Sequence, residues 1–435
     1  MKNYKKIVPI GLFFLIALGT YVSISSAFEE KETVETYLKE ARDYAELGIV
    51  DDALKCYDMA RDVQDSVAIN IEEGNLLADS GRISSAISWG EDLVEKFPKE
   101  AEAYAYLIRQ YITDENYEEC FSVYSRACDL KINTEAIEKE IAAVRYEFCY
   151  DYEDYEDVGD FSEGYAAVCQ EGKWGYVDET GESVISCQFT EARPFVDVAA
   201  VKSGDEWYYI DSEGKKKYVV QNIENCSELG TYNNDILIAM TDSGYGYYNI
   251  EFDCMKDGFN NVTAFNGGIA FAQDDKGWYQ IDSSAEKVSD TYYDDVITDA
   301  KGLCYRNDRI FVKEGLYYHM IDVEGNEIAV DGNIEDARMF LESDGLAAVK
   351  VDGAWGFIDK DGNFVIEPSY REAHSFINGY AAVKVRDTWG FITKKNKLVL
   401  ECQFEDVKDF SSHGTVFVKQ NGEWKLLKLY KDNYV

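Results

Sequence analysis

Gly164-Tyr-Ala-Ala-Val168-Cys-Gln-Glu-Gly-Lys173-Trp174-Gly175-Tyr-Val-Asp178-Glu-Thr-Gly181 is the stretch that decides the fold, because it returns. Its halves recur as Gly345-Leu-Ala-Ala-Val349 with Trp355-Gly356-Phe-Ile-Asp359-Lys-Asp-Gly362, and as Gly379-Tyr-Ala-Ala-Val383 with Trp389-Gly390-Phe-Ile. Adding weaker copies gives a ladder of Trp174, Trp207, Tyr245, Trp278, Tyr318, Trp355, Trp389 and Trp424. Self-similarity at a period of roughly 35 residues is the signature of a stacked or radial repeat architecture. A second marker, aromatic-x-acidic-small-x-x-Phe, keeps pace with the first: Tyr155 to Phe161, Phe189 to Phe195, Phe259 to Phe265, Tyr370 to Phe376 and Phe404 to Phe410, with Ile334 to Phe340 as a near copy.

The residue choices have physical reasons. In Trp355-Gly356-Phe-Ile-Asp359 the strand alternation sends Trp355, Phe357 and Asp359 to one side, and the bare Gly356 on the other admits a bulky neighbour or an adjacent backbone. Gly175 and Gly390 hold the same place. Asp178 to Gly181, Asp211 to Gly214, Asp322 to Gly325 and Asp359 to Gly362 put acid and glycine where a tight hairpin needs them. Calcium loops would share some of these oxygens, but they need alternating ligands and a distal glutamate that these copies lack. Each unit is therefore read as four short strands, and 155–435 as eight units. A β-propeller is favoured, with an open β-solenoid as the alternative, because the first unit starts with its own marker at Tyr155 and no strand exchange is evident.

This segment resembles the bacterial WG-repeat family, whose members carry strings of Gly-Tyr-Ala-Ala-Val and Lys-Trp-Gly-Tyr-Ile-Asp motifs. The resemblance implies an interaction role without naming a ligand. It makes Trp174, Gly175, Trp207, Trp278, Trp355, Gly356, Trp389, Gly390 and Trp424 repeat-defining residues with a structural role.

The region 34–148 repeats differently. Tyr44 to Ala60, Leu77 to Leu93 and Tyr111 to Ala127 each place apolar residues at helical spacing on both sides of a turn, at offsets of about 33 and 34 residues. Gly48 and Gly81 sit at the first two turns, and Glu115 stands where the third would have glycine. The pattern resembles the tetratricopeptide repeat, in which small residues such as Ala53, Ala60, Ala86 and Ala127 let paired helices approach. The expectation is an α + β repeat protein: a short α-helical solenoid, an acidic hinge over 149–154, and an all-β repeat domain.

The N-terminus reads as an export signal. Lys2, Lys5 and Lys6 precede an apolar run from Ile7 to about Val22, and Ser25-Ser-Ala27 fits a cleavage site. Residues 1–27 are thus expected to be a signal peptide or a membrane anchor, and the positive-inside rule puts the body of the protein outside the cytoplasmic membrane, in the cell envelope, or secreted if cut after Ala27. Membrane contact is expected through this segment only.

Composition narrows function. A net charge of −40, from 83 acidic and 43 basic residues, repels a phosphate backbone and argues against nucleic acid as partner. Ten cysteines without a CxxC pair and three histidines give no zinc pattern, and no nucleophile motif, phosphate loop or dinucleotide fingerprint is present. No metal, cofactor or catalytic residue is expected. The leading expectation is a non-catalytic scaffold that binds a protein or peptide. A cell-wall glycan module using the repeated Trp and Tyr is the alternative, and a hydrolase is the least favoured.

Overall fold

The computed structural model describes residues 30–132, 135–219, 223–342 and 345–434. They form two compact units, one up to Glu147 and one from Phe148 to Asn433. The segment 1–27 lies outside the described residues, among which no helix is long and apolar enough to cross a membrane.

In the first unit the described residues form seven helices: α1 through 30–46, α2 (Val50–Val63), α3 (Val67–Asp79), α4 (Ile83–Lys96), α5 (Ala101–Thr113), α6 (Tyr117–Asp129) and α7 (Glu135–Val144). They make three successive hairpins, and α7 packs on α5. Each hairpin reverses at a left-handed residue: Gly48 at φ 73°, Gly81 at 78° and Glu115 at 55°. The third turn therefore adopts the glycine conformation without glycine. Packing is tight where side chains are small: a Cβ on Gly90 of α4 would lie 2.9 Å from Leu107 Cδ1 of α5. Tyr106 crosses Gly74 and donates its hydroxyl to the Ala86 carbonyl at 3.2 Å. Within this core Glu73 is buried, its Oε2 2.8 Å from Arg61 Nε, and the guanidinium lies 4.8 Å over the Trp89 ring. Burial outweighs the attraction of Arg61 and holds the Glu73 pKa up at about 7.

The second unit is an eight-bladed β-propeller of small antiparallel sheets. The first blade shows the plan: Asp157–Val158, Tyr165–Gln170, Lys173–Asp178 and Ser183–Phe189 run from inner to outer strand as a meander. Seven blades have four strands. The fourth blade has three (Asn261–Val262, Ala270–Asp274 and Gly277–Ile281), its outer strand reduced to the single bridges Trp278 to Tyr293 and Ile281 to Lys287. The weakly matching middle of the chain keeps the same register. Tyr245 pairs Phe259 and Tyr318 bridges to Ile334, as Trp174 pairs Phe189 and Trp389 pairs Phe404. Tyrosine at these two places retains a hydroxyl partner: Tyr318 donates to Asp295 at 2.6 Å.

The last blade corrects the sequence reading. Its three inner strands, Asp406–Val407, Thr415–Gln420 and Glu423–Leu429, come from the C-terminal end, but its outer strand is Phe148–Tyr155. Residues 149–154 are thus not a hinge but the strand that closes the ring, and the open solenoid is excluded. Tyr155 faces Trp424 in the register that Phe189 keeps with Trp174. The aromatic marker therefore ends one blade's outer strand and leads into the next blade's inner strand, rather than opening a unit. The acids that suggested a solvated hinge lie against lysines of the neighbouring strand, Asp154 with Lys425 at 2.6 Å and Asp151 with Lys428 at 3.0 Å. The β unit thus begins at 148 rather than 155, and Tyr430–Tyr434 at its end is a helical turn rather than strand.

Two outcomes follow from these contacts. A chain starting after Tyr155 lacks the outer strand of the last blade, exposing the edge of Glu423–Leu429 and part of the apolar cluster of Tyr155, Phe417, Trp424 and Leu426. It is expected to melt lower and to be cut early within 406–429 by limited proteolysis; an unchanged melting curve and cleavage pattern would contradict closure. For Glu73 the folded pKa of about 7 exceeds the unfolded carboxylate value. Its contribution is therefore fully present below about pH 4.5 and is lost as pH rises through 7. Helical unfolding followed by circular dichroism should show stability falling from pH 5 to 8, with the slope flattened in Glu73→Gln.

Candidate functional site

The repeat tryptophans are framework. Trp207, Trp278, Trp355, Trp389 and Trp424 are 3–7% exposed and Trp174 is half-buried. Four of these rings are also covered on a face. The residue two before the marker's final Phe is basic in four blades and lies over the tryptophan of its own blade: Arg193 on Trp207, Arg338 on Trp355, His374 on Trp389 and Lys408 on Trp424, at 4.9–5.5 Å. The lysine that follows Ala-Ala-Val adds a second contact at Trp207 and Trp389, from Lys202 and Lys384.

Gly175, Gly356 and Gly390 are in the same blade strands and meet backbone. A Cβ on them would come 2.4 Å from the Ile185 carbonyl, 2.7 Å from the Ile366 carbonyl and 2.6 Å from the Leu400 carbonyl. In each case the ladder slips between the tryptophan and the residue after the glycine, so the outer strand bulges over the bare position. The helical small positions Ala53, Ala60, Ala86 and Ala127 are fully buried, whereas Gly48 and Gly81 are turn residues with open space around them. None of these sequence-chosen residues converges on a ligand-sized space.

Such a space lies inside the ring. A cavity of about 460 Å³ is lined by the segments that follow the inner strands of blades five, six, seven, eight and one. Blades one and eight contribute Asp160 and Asp409, joined by a hydrogen bond from the Asp409 backbone N–H to Asp160 Oδ1 at 3.2 Å. His374 of blade seven places Nδ1 2.9 Å from Asp409 Oδ1. The pair keeps 28% and 20% of its side-chain exposure, because it faces the cavity from within the ring. Burial and the neighbouring Asp409 push the Asp160 pKa up. Burial opposes charging of His374, but Asp409 and then Asp160 outweigh it and raise the His374 pKa. Opposite them, the long connection of blade five brings Asp299, Lys301 and Arg306 to the wall. Arg306 Nε is buried without a hydrogen-bond partner among the described residues, and burial raises the Asp299 pKa.

The three histidines each lie against a carboxylate: His374 against Asp409, His319 against Glu327 at 2.9 Å, and His413 against Glu179. Sequence reasoning set His374 aside. The available signal was positional, because it occupies the place held by Arg193, Arg338 and Lys408, and because Asp157-Val-Gly-Asp160-Phe and Asp406-Val-Lys-Asp409-Phe match. Among the described residues no group of three His, Cys, Asp or Glu side chains is disposed to hold a metal ion.

The family model described as "WG containing repeat" matches at residues 153–174, 174–207, 355–389 and 389–424. The second unit thus carries WG repeats at these four places. No curated protein matches the chain. Among solved structures it is similar to Hsv2p of Kluyveromyces lactis (10% identity, TM-score 0.37, 55% of this chain and 93% of that one). It is also similar to a eukaryotic initiation factor (12%, 0.42, 66% and 87%). A third is PorZ of Porphyromonas gingivalis, titled an essential bacterial surface component of the type-IX secretion system (11%, 0.33, 66% and 38%). At these identities and scores the likeness names no ligand or partner for the WG-repeat propeller.

The WG glycine gives a direct test. Gly356→Ala sets a methyl against the Ile366 carbonyl and Pro368 nitrogen, both at 2.7 Å. It is expected to destabilise the propeller by about 1–3 kcal/mol, the usual cost of overpacking. Gly159→Ala, whose Cβ would meet nothing closer than 3.7 Å, serves as the control and should change the denaturant midpoint little. Equal midpoints for the two variants would remove the packing role assigned to the WG glycine.

Proposed function

We propose that this protein is a non-catalytic interaction scaffold, held or released outside the cytoplasmic membrane, that recruits a partner protein or peptide through its helical hairpins and propeller rims. The observation that supports it most directly is the fate of the repeated residues. The tryptophans, their stacked cations and the WG glycines belong to the framework, so what differs between blades, the connections at the rims and around the ring's interior, is left for recognition. Two tandem repeat units suit multivalent recruitment better than turnover. His374 is hydrogen-bonded to Asp409 rather than to a serine or cysteine, so it forms no nucleophile relay. The placement outside the membrane rests on the basic and then apolar N-terminal sequence alone. Acid excess disfavours nucleic acid and suits a partner with a basic surface.

The glycan alternative needs ring faces open to sugar stacking, whereas Trp207, Trp278, Trp355, Trp389 and Trp424 are buried and cations cover four of them. Cross-linking the tagged full-length protein in its own cells, followed by mass spectrometry, is the test. A reproducible protein partner retained over an untagged control is the expected result. Recovery of wall glycan alone, or of nothing above background, would sink the scaffold reading.

A further inference from the structure

The cavity inside the propeller has two walls of opposite charge, and most of their charged groups already have partners. Glu163 accepts from the Asp197 N–H at 2.7 Å. Glu179 accepts from Ser412 and lies against His413. Asp299 accepts from the N–H groups of Lys301 and Leu303 at 2.9 and 3.0 Å. Arg338 lies over Trp355 and donates to the Ala337 carbonyl at 3.1 Å, and Lys408 is directed to Trp424. His374 is matched with Asp409.

One group on each wall is left over. Asp160 has the single Asp409 N–H and, among the described residues, no cation within ion-pair distance. Across the cavity, Arg306 buries its Nε with no acceptor, and Lys301 adds a second cation on that wall. Asp160 and Asp409 share His374 at the acidic wall, and Lys301 and Arg306 share Asp299 at the basic wall. Charged groups that face an interior space are stabilised when a partner of opposite charge meets them.

We propose that this cavity is a receptor site for a small zwitterion of the amino-acid or dipeptide class, its ammonium against Asp160 and Asp409 and its carboxylate against Arg306 and Lys301. The volume of about 460 Å³ is in the range of small-molecule sites. An organic ammonium suits the acidic wall better than a metal ion, since no trio of ligands is arranged for one among the described residues. Phe161, Met339 and Ile377 line the same space and leave room for a modest apolar side chain.

The test is isothermal titration of the full-length protein with a panel of the free amino acids and unblocked dipeptides, then with the best binder carrying an N-acetyl or a C-amide group. The expected result is saturable binding of at least one unblocked member, weakened roughly tenfold or more by either block. Asp160→Asn should erase the preference for the free amine and Arg306→Gln the preference for the free carboxylate, with unchanged melting temperatures. Absence of saturation below about 10 mM for every member overturns the proposal. So does equal binding of blocked and unblocked forms, or a folded variant pair that keeps both preferences. Should either variant fail to fold, the blocked ligands on the unaltered chain decide the matter alone.

Discussion

Everything in the β unit depends on the pairing of Phe148–Tyr155 with Glu423–Leu429, strands from opposite ends of the unit's sequence. A meander of WG blades has two ends, and each end presents an unpaired strand edge and half of an apolar interface. Joining the first strand to the last sheet removes both at once. It also creates the cluster of Tyr155, Val158, Ala166, Phe417 and Leu426 between the last blade and the first. The hydrogen bond from Asp409 to Asp160 and the approach of Ser412 to Glu179 exist only because this seam is closed. The cavity walls inherit their geometry from it.

The acidity of the chain looks different once the blades are assembled. Much of it supplies acceptors for backbone N–H groups that hairpins leave unpaired. Asp178, Asp211, Asp282, Asp322 and Asp359 each accept from the residues two and four positions on, at 2.8–3.1 Å. Asp157, Asp336 and Asp406 each accept from the next residue's N–H at the start of an inner strand. Glu156, Asp294, Glu335 and Glu405 reach the glycine of the following hairpin turn. Solubility is a consequence of this charge, but the repeat places it for turn chemistry, blade after blade.

What could be read in advance follows from which interactions are local. The WG register was legible because the tryptophan, its glycine and the facing aromatic lie within one hairpin and its outer strand. The helical hairpins were legible because their turns and small residues repeat within about 34 positions. The closing strand was not, since Asp151-Tyr-Glu-Asp-Tyr-Glu-Asp157 looks solvated until Lys425 and Lys428 stand beside it. The cavity was not legible for the same reason. Asp160, His374 and Asp409 belong to three different repeats, and only radial closure brings them together.

The contrast between rim and interior is the physical ground for treating the cavity as more than a gap at the centre of a ring. Throughout the blades the turn carboxylates accept from local N–H groups, and several cations lie over aromatic faces. Inside the ring the same chain leaves Asp160 with one long backbone donor and Arg306 Nε with none. Buried polar groups without partners are rare, and those that persist are most often completed by something the chain does not supply. A fold that could place a neutral residue at the Asp160 position, as it places Ala264 and Met339 at the corresponding points of blades four and six, instead sets opposite charges facing one space. That arrangement costs stability in the empty ring and is offset only when a partner of matching charge enters.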